Sequence, residues 1–206
     1  IGIPTDEEFN FNIDCATSIA QRGKVEYMAR EGKKLPDNWV KDSKGKPVTD
    51  PDKALKMLRE GHASFVPLGG TDESTGGHKG YGYTASVEIL SAAFQNGPFL
   101  KMLNGMNEEG EPAPYHLGHF FIIIDPSHLI DIALFKNTAG NILRQLRNSA
   151  AVKGERIYTP GEKEHYTSIE RRQNGIPITE NLYEEMRIMD EECGLNMIDT
   201  IFRESN

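Results

Sequence analysis

Residues 76–94 read GGHKGYGYTASVEILSAAF. Four glycines and a lysine crowd the first nine positions, and an apolar helix pattern follows. Tyr83, Val87, Leu90 and Phe94 fall at i, i+4, i+7 and i+11, one stripe of a helix. A glycine run that opens a helix is also where a dinucleotide-binding strand–turn–helix would sit, so this stretch decides between fold classes. Gly80-Tyr81-Gly82-Tyr83-Thr84-Ala85 fits G-x-G-x-x-A. That fingerprint must follow a strand directly, with an acidic residue ending the next strand about 20 residues on. Here a long polar loop precedes it and no second strand follows at that distance, so a Rossmann site is rejected. A Walker A loop is excluded too, because Gly80 rather than Ser or Thr follows Lys79. What remains is a glycine loop with a lysine at a helix N-terminus, where free amides and the positive helix end suit a phosphate or carboxylate. A mobile surface connector fits the same pattern.

Outward from the loop, strand and helix signals alternate. Residues 9–13 alternate in polarity and read as a strand. Thr17 and Ser18 are N-cap types before a helix running to Arg30. Residues 33–52 carry Pro36, Pro47 and Pro51 and read as a long ordered loop. Asp50 caps and Pro51 opens a helix to Arg59. Residues 63–68 form a short strand, and Gly97-Pro98 ends the helix after the glycine loop. Residues 104–117 are loop. Residues 119–124, HFFIII, read as a strong central strand, and Asp125-Pro126 starts a helix with Ile132, Phe135, Ala139, Ile142 and Leu146 on one face. Residues 156–158 look like a strand ending at Pro160-Gly161, before a polar helix over 162–173. Residues 176–178 are extended. Thr179 caps a last helix with Leu182, Met186, Met189 and Cys193 on one face, closed by Gly194. The alternation points to an α/β class.

The 206 residues suit one large domain or a domain and a half. A net charge of −8, from 31 acids against 23 bases, is not built to hold a nucleic acid backbone. The longest apolar run, residues 120–124, is far too short to span a bilayer, and no signal-peptide pattern opens the chain. Cys15 and Cys193 form no CxxC pair, which suits a reducing, cytoplasmic compartment. The chain opens on Ile1-Gly2-Ile3-Pro4 without Met, as a piece of a longer protein would. His116 and His119 are spaced HxxH but lack an acidic partner, so they read as buried or loop histidines and no metal site is expected. Asp14, ending a strand before a cap, is either a ligand position or a plain cap. Cys193 reads as core. The cluster at 161–164 is, on its own, a solvated turn. No Ser-His-Asp arrangement stands out.

The motifs together carry a resemblance. GIPT at 2–5, DCATS at 14–18, GKV at 23–25, Leu35-Pro36 with Trp39, TDP at 49–51, PLGG at 67–70, KGYG at 79–82, VEILS at 87–91, GHFF at 118–121, IDP at 124–126, PGE at 160–162, and Arg171-Arg172 with GIPI at 175–178 run through most of the chain. This set resembles the type-2 malate/L-lactate dehydrogenase family. Its members are NAD(P)-dependent 2-hydroxyacid oxidoreductases unrelated to the Rossmann-type malate and lactate dehydrogenases, and they include ureidoglycolate and sulfolactate dehydrogenases. The resemblance implies a three-layer α/β fold with a mixed, largely antiparallel sheet flanked by helices, not a Rossmann fold. It implies a homodimer binding NAD or NADP and a small 2-hydroxyacid, most simply malate oxidised to oxaloacetate, with ureidoglycolate, L-lactate or sulfolactate as rivals. Cofactor contacts carry over to Asp14, Cys15 and Ala16, to Lys79, and to Gly161, Glu162 and Lys163. Two features depart from the pattern: residues 71–78, TDESTGGH, read as an insertion, and Cys15 stands where the family commonly has Met. The family's catalytic histidine and its substrate-carboxylate arginine precede the segment that starts at Ile1, so no catalytic residue is assigned. Residues 1–206 are then the NAD(P)-binding and C-terminal part of a subunit. The alternative is a non-catalytic dinucleotide-binding module.

Overall fold

The computed structural model describes residues 1–107 and 109–203. Glu108, inside the loop expected over 104–117, lies outside the described residues. The chain is α/β, with seven helices and two small antiparallel sheets among the described residues. It divides into two compact units, one made of residues 1–15 and 123–206 and the other of residues 16–122.

The unit of residues 16–122 is built on a small apolar core. Val25, Leu35, Val40, Val48 and Ala54 are buried together, with Met28, Trp39, Leu55, Leu58 and Phe65 packed around them. Each fully buried aliphatic side chain of this kind is worth about 1.5–3 kcal/mol relative to exposure. Val25 lies on α1 (Arg22–Arg30) and Ala54 on α2 (Pro51–Arg59). Asp50 caps α2 as expected, accepting from the Lys53 amide at 2.8 Å. The proline-bearing stretch 33–52 is ordered, but it is not all loop. It contains β3 (Val40–Asp42), which pairs antiparallel with β4 (Ala63–Phe65). Val40 needs burial, and the pairing satisfies its backbone while its side chain fills the core. Thr17 and Ser18 do not cap α1, which starts at Arg22 after Gln21. Their segment is bonded elsewhere: the Leu68 amide donates to the Thr17 carbonyl at 3.0 Å and the Ile19 amide to the Val66 carbonyl at 2.8 Å.

The glycine stretch is mostly helix. α3 (Gly77–Ala93) begins six residues earlier than the apolar stripe indicates. Glycine costs a helix about 1 kcal/mol per residue relative to alanine, so tertiary packing must favour it here. A Cβ on Gly77 would run into the Gly70 carbonyl, and one on Gly80 into the Leu68 carbonyl. These glycines let the helix lie directly on the PLGG backbone. Gly82 meets nothing within 4 Å. The G-x-G-x-x-A string thus lies inside a helix rather than in a strand-to-helix turn. Beyond α3, the expected strand 119–124 carries no strand pairing among the described residues. Phe121, Ile122 and Ile124 are exposed and Ile123 is 95% exposed. Phe120 stacks on Phe94 with ring centroids 5.2 Å apart and the Gln95 side-chain amide donates to the His119 carbonyl at 3.0 Å, but an apolar run of this kind becomes a central strand only when other strands take up its edges, and none does so among the described residues.

The unit of residues 1–15 and 123–206 opens with β1 (Gly2–Ile3) paired antiparallel with β2 (Phe11–Asn12), a shorter strand than the alternation over 9–13 suggests. Asp125 caps only a single 3-10 turn, Pro126–His128. The helix proper, α4 (Ile132–Arg147), is capped by Asp131, which accepts from Ala133 and Leu134 at 2.8 and 3.1 Å. α5 (Glu162–Asn174) and α6 (Glu180–Cys193) lie where the sequence puts them, the latter capped by Thr179 and closed by Gly194 at φ 64°. Cys193 is exposed rather than core, because α6 fully buries no residue. Residues 156–158 form no strand, since Arg156 and its neighbours are drawn into ionic contacts described below. A short α7 (Ile198–Arg203) follows, unforeseen in the sequence.

The glycine packing yields a paired test. Gly80→Ala should destabilise the protein by about 1–3 kcal/mol through overpacking against a carbonyl that cannot move. Gly82→Ala, with open space, should stabilise it by about 0.5–1 kcal/mol. Urea midpoints of the two variants against wild type check both signs.

Candidate functional site

Two helices start in the same uncommon way. α3 follows Gly76 at φ 82° and α5 follows Gly161 at φ 95°, and no side chain caps either. Each carries an exposed lysine in its first turn, Lys79 and Lys163. A cation there works against the helix macrodipole. α2, α4 and α6 instead have Asp50, Asp131 and Thr179 as caps. α1 is uncapped too, but its Arg22 is paired with Glu26 at 2.8 Å. The Lys79 ammonium makes no hydrogen bond or ion pair among the described residues, while its amide donates to the Gly76 carbonyl at 2.9 Å. Lys163 places Nζ 4.6 Å from the Tyr158 ring centroid, and the Arg156 guanidinium lies 4.7 Å from the same centroid. At α3 the Gly77 and Lys79 amides donate to the Asp72 and Gly76 carbonyls, and at α5 the Glu162 amide donates to the Thr159 carbonyl, so the first-turn amides left open among the described residues are those of His78, Lys163 and Glu164. An open amide, a positive helix end and an adjacent lysine are donors that a phosphate can use. The chain's residues therefore fit the phosphates of a dinucleotide at both helix starts.

Asp14, Cys15 and Ala16 follow β2 and are all exposed, with Cys15 a free thiol. On their N-terminal side the Asn12 amide donates to the Pro160 carbonyl at 3.2 Å, so the turn before α5 rests on β2. Gly161 is required there twice over. Its φ is left-handed, and a Cβ would lie 2.5 Å from the Asn10 carbonyl. On their C-terminal side the Thr84 and Thr17 hydroxyls bond at 2.9 Å, which ties Thr17 to α3. Residues 14–16 are thus the covalent link between a strand bonded to the Gly161 turn and a segment bonded to the helix that bears Lys79. Asp14, Cys15, Gly161, Glu162 and Lys163 belong to one unit; Ala16 and Lys79 belong to the other.

Glu162 is not a solvated turn residue. It is 1% exposed. Its Oε2 accepts from the Thr159 amide at 3.1 Å and the Thr159 hydroxyl at 3.3 Å, and Arg156 Nη2 reaches Oε1 at 2.5 Å. Arg147 Nε lies 4.0 Å from Oε2. Arg147 in turn donates to Glu7 at 2.5 Å, while Arg144 forks onto Asp6 at 3.1 and 3.2 Å and onto Glu7 at 3.1 Å. Three carboxylates meet three arginines in one charge-balanced chain. Glu7, Arg147 and Thr159 were not singled out by the sequence. The only trace is an acidic run at 6–8 and two arginines three apart on α4, which sequence alone does not pair. His116 and His119 are both exposed, and no group of three or more metal-ligating side chains occurs among the described residues.

The hydrogen bond from Arg144, with its charge, holds the Asp6 carboxyl below its ordinary value of 3.8. A lowered carboxylate stabilises the fold above its unfolded pKa, and the contribution is lost as pH falls through the folded value. Asp6→Asn should therefore lower the unfolding midpoint most at neutral pH, with the gap closing as pH drops below about 4. Thermal unfolding of both proteins across pH 2–7 checks the sign; a gap that widens in acid would contradict it.

Comparison with known proteins completes the picture. The malate/L-lactate dehydrogenase family model matches residues 1–187. A malate dehydrogenase of Pyrococcus horikoshii is 33% identical over 196 residues, 95% of this chain and 52% of that protein. An L-sulfolactate dehydrogenase of Methanocaldococcus jannaschii is 32% identical over 194 residues, 94% of this chain and 52% of that protein. The crystal structure of malate dehydrogenase from Entamoeba histolytica superposes with a TM-score of 0.86 at 38% identity, covering 94% of this chain and 54% of that one. The chain spans about half the length of the curated relatives it matches. It belongs to the malate/L-lactate dehydrogenase family.

Proposed function

We propose that this protein is an NAD(P)-dependent oxidoreductase that converts a 2-hydroxyacid, malate in the first place, to the 2-oxoacid. The observation that carries the reading is the pair of uncapped helix starts with first-turn lysines, in a chain of this family. The Lys79 ammonium, with the open His78 amide of α3, binds a phosphate of the dinucleotide. The open Lys163 and Glu164 amides and the Lys163 ammonium do the same at α5. Asp14, Cys15 and Ala16 line the cofactor as an exposed strip. Glu162 contributes through the placement of its backbone, since its carboxylate faces inward. When bound, the cofactor would supply hydride acceptance from C2 of the hydroxyacid, with the hydroxyl proton passing to a base outside the residues named here; these residues would bind and orient the cofactor.

The complete fold is proposed as three-layered with a mixed sheet and not of Rossmann type, in keeping with G-x-G-x-x-A inside a helix. A homodimer accounts for some of the exposed apolar surface on α3, where Tyr83, Val87 and Ile89 face solvent. A reducing, cytoplasmic location fits two free cysteines, and no helix among the described residues is long and apolar enough to cross a membrane. Sulfolactate is a second substrate candidate, because the sulfolactate dehydrogenase named above is as similar to this chain as the malate dehydrogenase, at 32% against 33% identity.

NADH titration by fluorescence tests the cofactor reading. Lys79→Ala should weaken binding by about 1–3 kcal/mol, the size of a charge-assisted contact. Unchanged affinity would remove Lys79 from the site. Initial rates with L-malate, L-sulfolactate, L-lactate and ureidoglycolate then rank the substrates, with malate expected to give the highest kcat/KM.

A further inference from the structure

We propose that Arg147 is a positioning residue for the turn at residues 161–163. This rests on the reading that the turn contacts the dinucleotide. Arg147 closes α4, and its guanidinium is spent on three different parts of the chain. Nη1 donates to the Thr159 hydroxyl at 2.9 Å, Nη2 to Glu7 Oε1 at 2.5 Å, and Nε faces Glu162 Oε2 at 4.0 Å. Its flat face covers the Phe9 ring, with Cζ 5.5 Å from the centroid. Thr159 and Glu162 flank the Gly161 turn, are 4% and 1% exposed, and are bonded to each other. The group that orients both of them from outside the turn is Arg147. A planar fork donates to two acceptors in fixed directions and keeps its charge beside a third; a lysine ammonium on a flexible stem does not.

Arg144 supplies an internal comparison. It lies one helical turn earlier and makes as many ionic contacts, to Asp6 and Glu7. None of its contacts reaches residues 159–163. A role confined to holding the N-terminal segment on α4 would make the two arginines equivalent. A positioning role separates them.

The test uses full-length protein, NADH fluorescence titration and thermal unfolding, on wild type, Arg147→Lys and Arg144→Lys. Both variants should lower the unfolding midpoint. Arg147→Lys should raise the Kd for NADH by about tenfold and shift the emission maximum of bound NADH, as expected when a support behind a binding group is loosened. Arg144→Lys should change Kd by less than about twofold. A merely structural loss lowers the titration amplitude with the folded fraction and leaves Kd and emission maximum alone, and that result from Arg147→Lys would overturn the inference. Equal weakening by both lysine variants would overturn it too. If Arg147→Lys does not fold, Glu7→Met carries the same test by removing the acceptor of Nη2, with Arg144→Lys accounting for the lost Glu7–Arg144 contact; a severalfold rise in Kd is expected, and an unchanged Kd would contradict the proposal. Failure of wild type to bind NADH would defeat the cofactor reading and the inference with it, whereas wild-type binding with an unaltered Arg147→Lys defeats the inference alone.

Discussion

The carboxylate of Glu162 sits out of reach of water at the first position of α5, and much of its unit follows from that constraint. A buried charge without compensation is costly, and removing one partner from such a pair costs about 3–5 kcal/mol. Glu162 is therefore answered by Arg147 and Arg156 and by both donors of Thr159. Arg147 has to be held as well, and Glu7 holds it; Glu7 also binds Arg144, which grips Asp6. The chain of charges fastens the N-terminal segment to α4 and α4 to the start of α5. Gly140 belongs to the same arrangement, since a Cβ there would run into the Asp6 carboxylate. The turn at Gly161 is held with the Glu162 carboxylate inward and its amide bonded to the Thr159 carbonyl.

Glycine solves two different problems in this chain. At Gly77 and Gly80 it removes bulk, so that α3 can lie on the PLGG backbone. At Gly76 and Gly161 it permits a left-handed residue immediately before a helix, which leaves the helix start free of a side-chain cap. The second use matters for the proposed chemistry, because a capped N-terminus has already spent amides on a serine or aspartate. A connector would need neither the close approach nor the fixed φ. The run at 76–84 is thus structural in its packing, with the Lys79 ammonium left exposed.

Local signals were legible where the interaction that satisfies them is local. Asp50, Thr179 and Gly194 act within one helical turn, and α2 begins and α6 begins and ends accordingly. Signals failed where a distant partner decides. The start of α3 is set by Gly70 and Leu68, not by helix propensity. The helix expected after Ser18 yields to bonds from Ile19 to Val66 and from Leu68 to Thr17. The run 119–124 has every strand preference and no ladder among the described residues, so Ile123 stands exposed. The candidate site divides the same way: the motifs around Lys79 and Gly161 were visible, whereas Arg147 and Glu7, which lie 140 residues apart, could only be paired in three dimensions.

The central proposal is that residues 14–16, the first turn of α3 and the turn at 161–163 each contact the dinucleotide. Hydrogen–deuterium exchange on the full-length protein, with and without saturating NADH, tests it most directly. The account predicts that amides in 14–16, 77–80 and 161–164 slow together on adding NADH, while α6 is unaffected. Binding of NADH that leaves these three segments exchanging as before would contradict it.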